Sequence, residues 1–147
     1  MIKAIIFDFN RTLFDPLRNV PFTGALELIL NLKKIFRLGL VSTGGESRVA
    51  TISESGLREH FDYIRVVEQK NEQVFLDFLK RFNFEPQELA VVGDYLGDEI
   101  ACGNKIGAVT IWYKEWAALT MKVENEGHKP QFIAESYKDI QKILSVK

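Results

Sequence analysis

Short apolar runs that end on a polar residue, alternating with stretches of helical period, constrain this chain more than any other feature. Ile2 to Asp8 is the plainest run: β-branched and aromatic, apolar on both faces, closed by an acid. A strand with no polar face needs cover on both sides, as in a parallel sheet held between helices. Further runs lie at Leu38 to Ser42 (reaching back toward Ile35), Tyr63 to Glu68, Leu89 to Gly93 and Ala108 to Trp112. A short sixth at Gln131 to Ala134 suits a sheet edge. Between them, Ala25, Leu28, Ile29 and Leu32 share one face of a helix from Thr23 to Lys34. Glu46 to Ser55 forms a second helix, stopped by Gly56. Val74, Phe75, Phe78, Leu79 and Phe82 mark the clearest stripe, from Asn71 to Phe82. A helix from Leu96 to Lys105 follows Asp94, and a last one carries Tyr137, Ile140, Ile143 and Leu144. This βα alternation predicts a doubly wound, three-layer α/β/α sandwich around a mainly parallel sheet of five to six strands. With no repeat and no Pro/Gly/Ser linker, one domain is expected over residues 1–147.

Net charge is −1 with acids and bases interspersed, so no nucleic-acid surface is indicated. The N-terminal apolar run is too short for a membrane span and lacks the pattern of a signal peptide. Cys102 is the one cysteine, which precludes an internal disulfide. A cytoplasmic location is the expectation.

In an open α/β sheet, ligands sit beyond the carboxyl ends of the strands. The first polar residues there are Asp8 after strand one, Ser42 after strand two and Asp94 after strand four. Lys70 lies just past strand three, and Asp98 one helical turn beyond Asp94. Three acids, a hydroxyl and a lysine thus meet at one crevice. Clustered carboxylates need a cation, and all-oxygen ligands select a hard one such as Mg²⁺. A phosphate beside it needs positive charge from Lys70, a hydroxyl from Ser42, and backbone N–H groups from Thr43-Gly44-Gly45 at a helix start. Asp8 could then attack phosphorus as a carboxylate nucleophile.

Four segments in this order, Asp8-Phe9-Asn10-Arg11-Thr12-Leu13, Leu40-Val41-Ser42, Lys70 and Val91-Val92-Gly93-Asp94-Tyr95-Leu96-Gly97-Asp98, resemble the haloacid dehalogenase superfamily, in particular its phosphatases. The resemblance runs from Phe7 to Leu144. It implies that Asp8 becomes an aspartyl-phosphate, that Ser42 binds the transferred phosphoryl group, and that Lys70 balances charge between the two. It implies further that Asp94 ligates Mg²⁺, that Asp98 supports the metal shell, and that the main-chain carbonyl of Asn10 is a metal ligand.

Asn10 is the departure. The family's phosphatases carry a second aspartate there, which protonates the leaving group and then activates water. An amide cannot do this, and general acid–base help is worth roughly 10²–10⁴-fold. Slow turnover, a long-lived intermediate, or a substitute acid is therefore expected, with Asp15 and Glu46 nearest in sequence. Arg11 replaces a glycine usual in the family. Only 25 residues separate Thr12 from Leu38 and 27 separate Ser42 from Lys70, too few for a cap domain. The site should be open to a phosphorylated substrate as large as a macromolecule, unless a homo-oligomer partner covers it.

The leading expectation is a Mg²⁺-dependent phosphatase. The alternatives are a phosphate-binding or interaction domain that lost efficient turnover and, ranked lower, a dehalogenase or phosphonatase-type hydrolase. Cys102 reads as a space-filling core residue, and His60 and His128 are too isolated for a zinc site. Trp112, Tyr113 and Trp116 would be core if buried; exposed, they would form a subunit contact or substrate platform, and a contact is the reading preferred from sequence.

Overall fold

The computed structural model describes residues 1–114 and 121–145. Eight strands and five α-helices occur among them: β1 (Ala4–Phe7), β2 (Phe14–Asp15), β3 (Val20–Pro21), α1 (Ala25–Leu32), β4 (Arg37–Thr43), α2 (Glu46–Glu54), β5 (Tyr63–Val67), α3 (Glu72–Phe82), β6 (Leu89–Gly93), α4 (Ala101–Ile106), β7 (Val109–Tyr113), β8 (Phe132–Ala134) and α5 (Tyr137–Ile143). Six of the strands form one parallel sheet in the order β5-β4-β1-β6-β7-β8. The chain winds outward from β1 through β4 to β5, then returns to β6 on the other side. The crossover reversal, where a crevice opens, therefore falls between β1 and β6.

Alternate residues of each strand feed two separate cores, because successive side chains point to opposite faces. Ile5, Phe7, Leu38, Leu40, Ala90 and Val92 pack with the buried faces of α1, α2 and α5. Ala4, Ile6, Val41, Leu89 and Val91 pack with Val74, Phe75, Phe78 and Leu79 of α3 and Cys102 of α4. This is the three-layer sandwich expected from the apolar runs. Gly39 lets α3 approach β4: a Cβ there would lie 3.0 Å from both Ile6 and a Phe78 ring carbon.

Two features were not legible in the sequence. The antiparallel pair β2–β3 makes a small hairpin over the mouth of the β1 loop. And residues Leu96–Ile100 form a π-helical turn before α4, rather than the start of a regular helix. No inserted folding unit is present after β1 or β4 among the described residues. Among the described residues no helix is long and apolar enough to cross a membrane.

Candidate active site

Asp8 follows β1 directly, and its N–H donates to Val92 O at 2.9 Å, which ties the end of β1 to the end of β6. Beyond it the chain turns tightly: Leu13 and Phe14 N–H both donate to Phe9 O, at 2.9 and 3.0 Å. Arg11 sits in that turn with φ +64°, the left-handed conformation that glycine adopts without strain. A backbone requirement thus explains the family's glycine.

Lys70 Nζ lies 2.7 Å from Asp8 Oδ1 and 3.0 Å from Glu99 Oε2, its side chain only 3% exposed. Lys70 lies three residues past the end of β5, two strands from β1, and the loop and its four-carbon stem together bring the ammonium to Asp8. Burial works to lower its pKa, but the Asp8 and Glu99 carboxylates override this and hold it above the ordinary lysine value, so it stays charged.

Carboxylate oxygens of Asp8, Asp94 and Glu99 all lie within 4.8 Å of one another. All three residues are buried. Burial, and then the Asp8 carboxylate, push Asp94 up from 3.8 to about 9. Burial and Asp8 likewise push Glu99 up to about 7 against the pull of Lys70. One lysine does not neutralise three acids in a low-dielectric pocket, and a divalent cation would. The residues therefore fit a hard metal ion, faced by Asp94 and by Asp8 Oδ2, which accepts a long 3.5 Å bond from the Thr12 hydroxyl. Both Glu99 oxygens are already engaged, Oε2 by Lys70 and Oε1 by the Tyr95 N–H at 3.1 Å. Glu99 is thus an anchor for Lys70.

Sequence reasoning singled out Asp98 and passed over its neighbour. Asp98 is half-buried at the mouth, where burial, with Asp8 in support and Lys70 opposing, raises its pKa. Glu99 is the one turned inward, 1% exposed. A signal was available in Gly93, where an added Cβ would overlap the Glu99 carboxylate, so only glycine leaves room for that side chain at the end of β6.

Ser42 is buried at the end of β4, the strand beside β1, and its hydroxyl donates to Thr43 O at 3.2 Å. Thr43 is exposed. The Gly44 N–H is spent on Val67 O at 3.0 Å. Asn10 bridges to Phe14 in the turn, its Oδ1 buried without a hydrogen-bond partner. Of the two substitute acids, Asp15 caps the hairpin turn, accepting from Leu17 and Arg18 N–H at 2.9 and 3.3 Å, whereas Glu46 is exposed on the first turn of α2.

The aromatic residues at the end of β7 require a correction. Trp112 and Tyr113 are core, 5% and 2% exposed, and form no surface patch. Trp112 Nε1 donates to Asp94 O at 2.9 Å, which fixes the loop that presents the carboxylate. Trp116 lies outside the described residues. Burial foremost pushes the Cys102 thiol up to about 11, which leaves it a packing residue.

The profile of one family, haloacid dehalogenase-like hydrolase, matches residues 2–113. The chain belongs to that family. Among curated proteins, this chain is 27% identical over 141 residues to a glyceraldehyde 3-phosphate phosphatase of Pyrococcus furiosus, covering 91% of this chain and 58% of that protein. It thus spans little more than half the length of such relatives. Among solved structures it is similar to a HAD phosphatase from Thermococcus onnurineus (15% identity, TM-score 0.82, covering 99% of each chain). It is also similar to the putative HAD-hydrolase YfnB of Bacillus subtilis bound to magnesium (24% identity, TM-score 0.74, 86% of this chain and 57% of that one). At these identities the structural likenesses establish the fold.

Proposed function

We propose that this hydrolase is a Mg²⁺-dependent phosphatase that cleaves a phosphate monoester through an aspartyl-phosphate on Asp8. The observation that carries the reading is the buried cluster at the β1/β6 crossover. Asp8 is held by Lys70 on one oxygen, Lys70 is held by Glu99, and the Asp94 carboxylate stands within reach of the same space. Phosphatase-named relatives and a magnesium-bound structural neighbour support it.

Asp8, Asp94, the Asn10 carbonyl and, further out, Asp98 are the groups that would hold Mg²⁺. When bound, the ion supplies charge neutralisation at the transferring phosphoryl oxygens. The chain's own residues do the rest. Lys70 orients Asp8 by a charge-assisted bond. An Asp8 oxygen attacks phosphorus, a P–O bond forms, and the ester P–O bond breaks with the electron pair leaving on the alcohol oxygen. On this reading Ser42 and Lys70 hold the phosphoryl oxygens once the substrate is bound. Water then cleaves the acyl phosphate to return Asp8 and release phosphate. Asn10 cannot donate a proton to the departing alcohol or take one from that water, so both steps lack side-chain proton transfer at this position.

The test is Mg²⁺-dependent phosphate release from p-nitrophenyl phosphate, with borohydride trapping of the acyl phosphate. Asp8→Asn should abolish both. Undiminished release by that variant would remove Asp8 from the mechanism. Asn10 also favours a second reading, a phosphate-binding domain with little turnover. That reading gains if the wild type binds a phosphate mimic but releases no phosphate.

A further inference from the structure

Beside Asp8 lies a second polar space that the hydrolytic machinery does not use. It is a cavity of about 230 Å³ between the β2–β3 hairpin and the first turns of α2, lined by Asn10, Phe14, Asn19, Ser47, Arg48 and Thr51 among others. Asn10 belongs to the turn that follows Asp8, so the cavity opens on the same rim as the nucleophile.

Among the described residues, Arg48 is the one charged residue on its wall, and no acid lines it. Its Nε is shielded from solvent with no hydrogen-bond partner, and so is Asn10 Oδ1. An unpaired buried polar group is costly, and both belong to residues that line this cavity, where a small shift of either side chain would bring it to a polar occupant. Arg48 is also held in place. Its guanidinium stands 5.7 Å from the centre of the Phe9 ring. Gly44 makes room for its stem, because a Cβ there would lie 2.7 Å from Arg48 Cβ.

We propose that this cavity is a leaving-group subsite, and that Arg48 selects phosphate esters whose alcohol portion carries a carboxylate. The proposal rests on the reading of Asp8 as the phosphoryl acceptor. A guanidinium presents a planar fork that matches a carboxylate. It carries a single charge, and the remaining polar wall groups are neutral hydroxyls and amides, which balances a monoanion rather than a second phosphate dianion. The Asn10 amide, turned about its last torsion, offers its NH₂ to the same group. On this view the residue that stands where an acid is usual lines the site of substrate recognition.

The experiment compares 3-phosphoglycerate, which carries a carboxylate, with glycerol 3-phosphate, which does not. Each is assayed with Mg²⁺ on the wild type and on Arg48→Met, a variant that keeps the apolar stem over Phe9. Affinity for both compounds is measured in parallel by calorimetry on the inert Asp8→Asn protein, with and without Arg48→Met. Expected is a preference for 3-phosphoglycerate that falls about 10–100-fold in kcat/KM relative to glycerol 3-phosphate when Arg48 is replaced, the range lost with a charge-assisted hydrogen bond. The loss should lie in KM, and the calorimetric affinity ratio should fall in step. Equal losses on both compounds, no initial preference, or binding of neither while p-nitrophenyl phosphate is hydrolysed would overturn the subsite and leave the hydrolase reading intact. If no ester is hydrolysed, the hydrolase reading fails, and the calorimetric ratio alone decides the subsite.

Discussion

Gly93→Ala tests whether the end of β6 is shaped around Glu99. The three atoms nearest to a Cβ at Gly93 all belong to Glu99, and the glycine has no left-handed φ that would by itself exclude alanine. The added methyl must therefore displace the carboxylate or force the two backbones apart. Displacement gives up the bond to Lys70 Nζ at 3.0 Å and that to Tyr95 N–H at 3.1 Å. The first, being charge-assisted, is worth about 1.5–3 kcal/mol and the second about 1 kcal/mol. Separation instead carries an overpacking cost of about 1–3 kcal/mol. The loss therefore lies between about 1 kcal/mol (separation) and about 4 kcal/mol (displacement), or roughly 3–15 °C in melting temperature for a chain of this size. The decisive measurement is a double-mutant cycle with Glu99→Ala, read by urea denaturation followed by circular dichroism. With Glu99 truncated, nothing opposes the methyl. Gly93→Ala should then be neutral, or stabilising by up to about 1 kcal/mol through the lower entropy of the unfolded chain. A coupling of about 1–5 kcal/mol follows, the upper end if the carboxylate is displaced. Equal effects of Gly93→Ala in the two backgrounds would refute the account, and the glycine would need another explanation.

Metal-free stability should depend on pH with a definite sign. Asp94 and Glu99 have folded-state values raised to about 9 and about 7, so the folded protein holds protons that the unfolded chain releases near pH 4. Stability contributed by these groups is complete below pH 4 and is lost as pH rises toward 9; Mg²⁺ should flatten that slope, and denaturation midpoints across the range, with and without the ion, check it. Asn10→Asp should speed Mg²⁺-dependent phosphate release by about 10²-fold or more, since it restores a proton-transfer group; steady-state kinetics on p-nitrophenyl phosphate measure this, and an unchanged rate would mean that proton transfer does not limit turnover. Trp112→Phe removes the 2.9 Å bond to Asp94 O and leaves that buried carbonyl unpaired, which should lower stability by about 1–3 kcal/mol and weaken Mg²⁺ binding measured by calorimetry.

Much of the architecture follows from local pattern. The two-faced apolar run Ile5-Ile6-Phe7 could only be a covered strand, and the stripe Val74, Phe75, Phe78, Leu79 could only be a helix face. Asp8 and Asp94 were legible because polar residues that end such strands lie at one rim whatever the strand order. Lys70 was legible only as one lysine near that rim; its bond to Asp8, 62 residues away, depends on β5 lying two strands from β1. Glu99 was missed because periodicity cannot choose between adjacent acids on a helix. The π-helical turn made the choice by rotating Glu99 inward and leaving Asp98 at the mouth. The burial of Trp112 and Tyr113 was hidden for a similar reason, since Tyr113 stacks on Tyr137 of α5 and Trp112 packs with Leu96, Ile100 and Met121, none of them in β7. Alone, then, the sequence determined the elements and the rim residues, because these rest on period and on chain order. Which groups share a proton, a lysine or a cavity was decided by the tertiary structure, because burial and distance belong to the packed molecule and to no single segment of it.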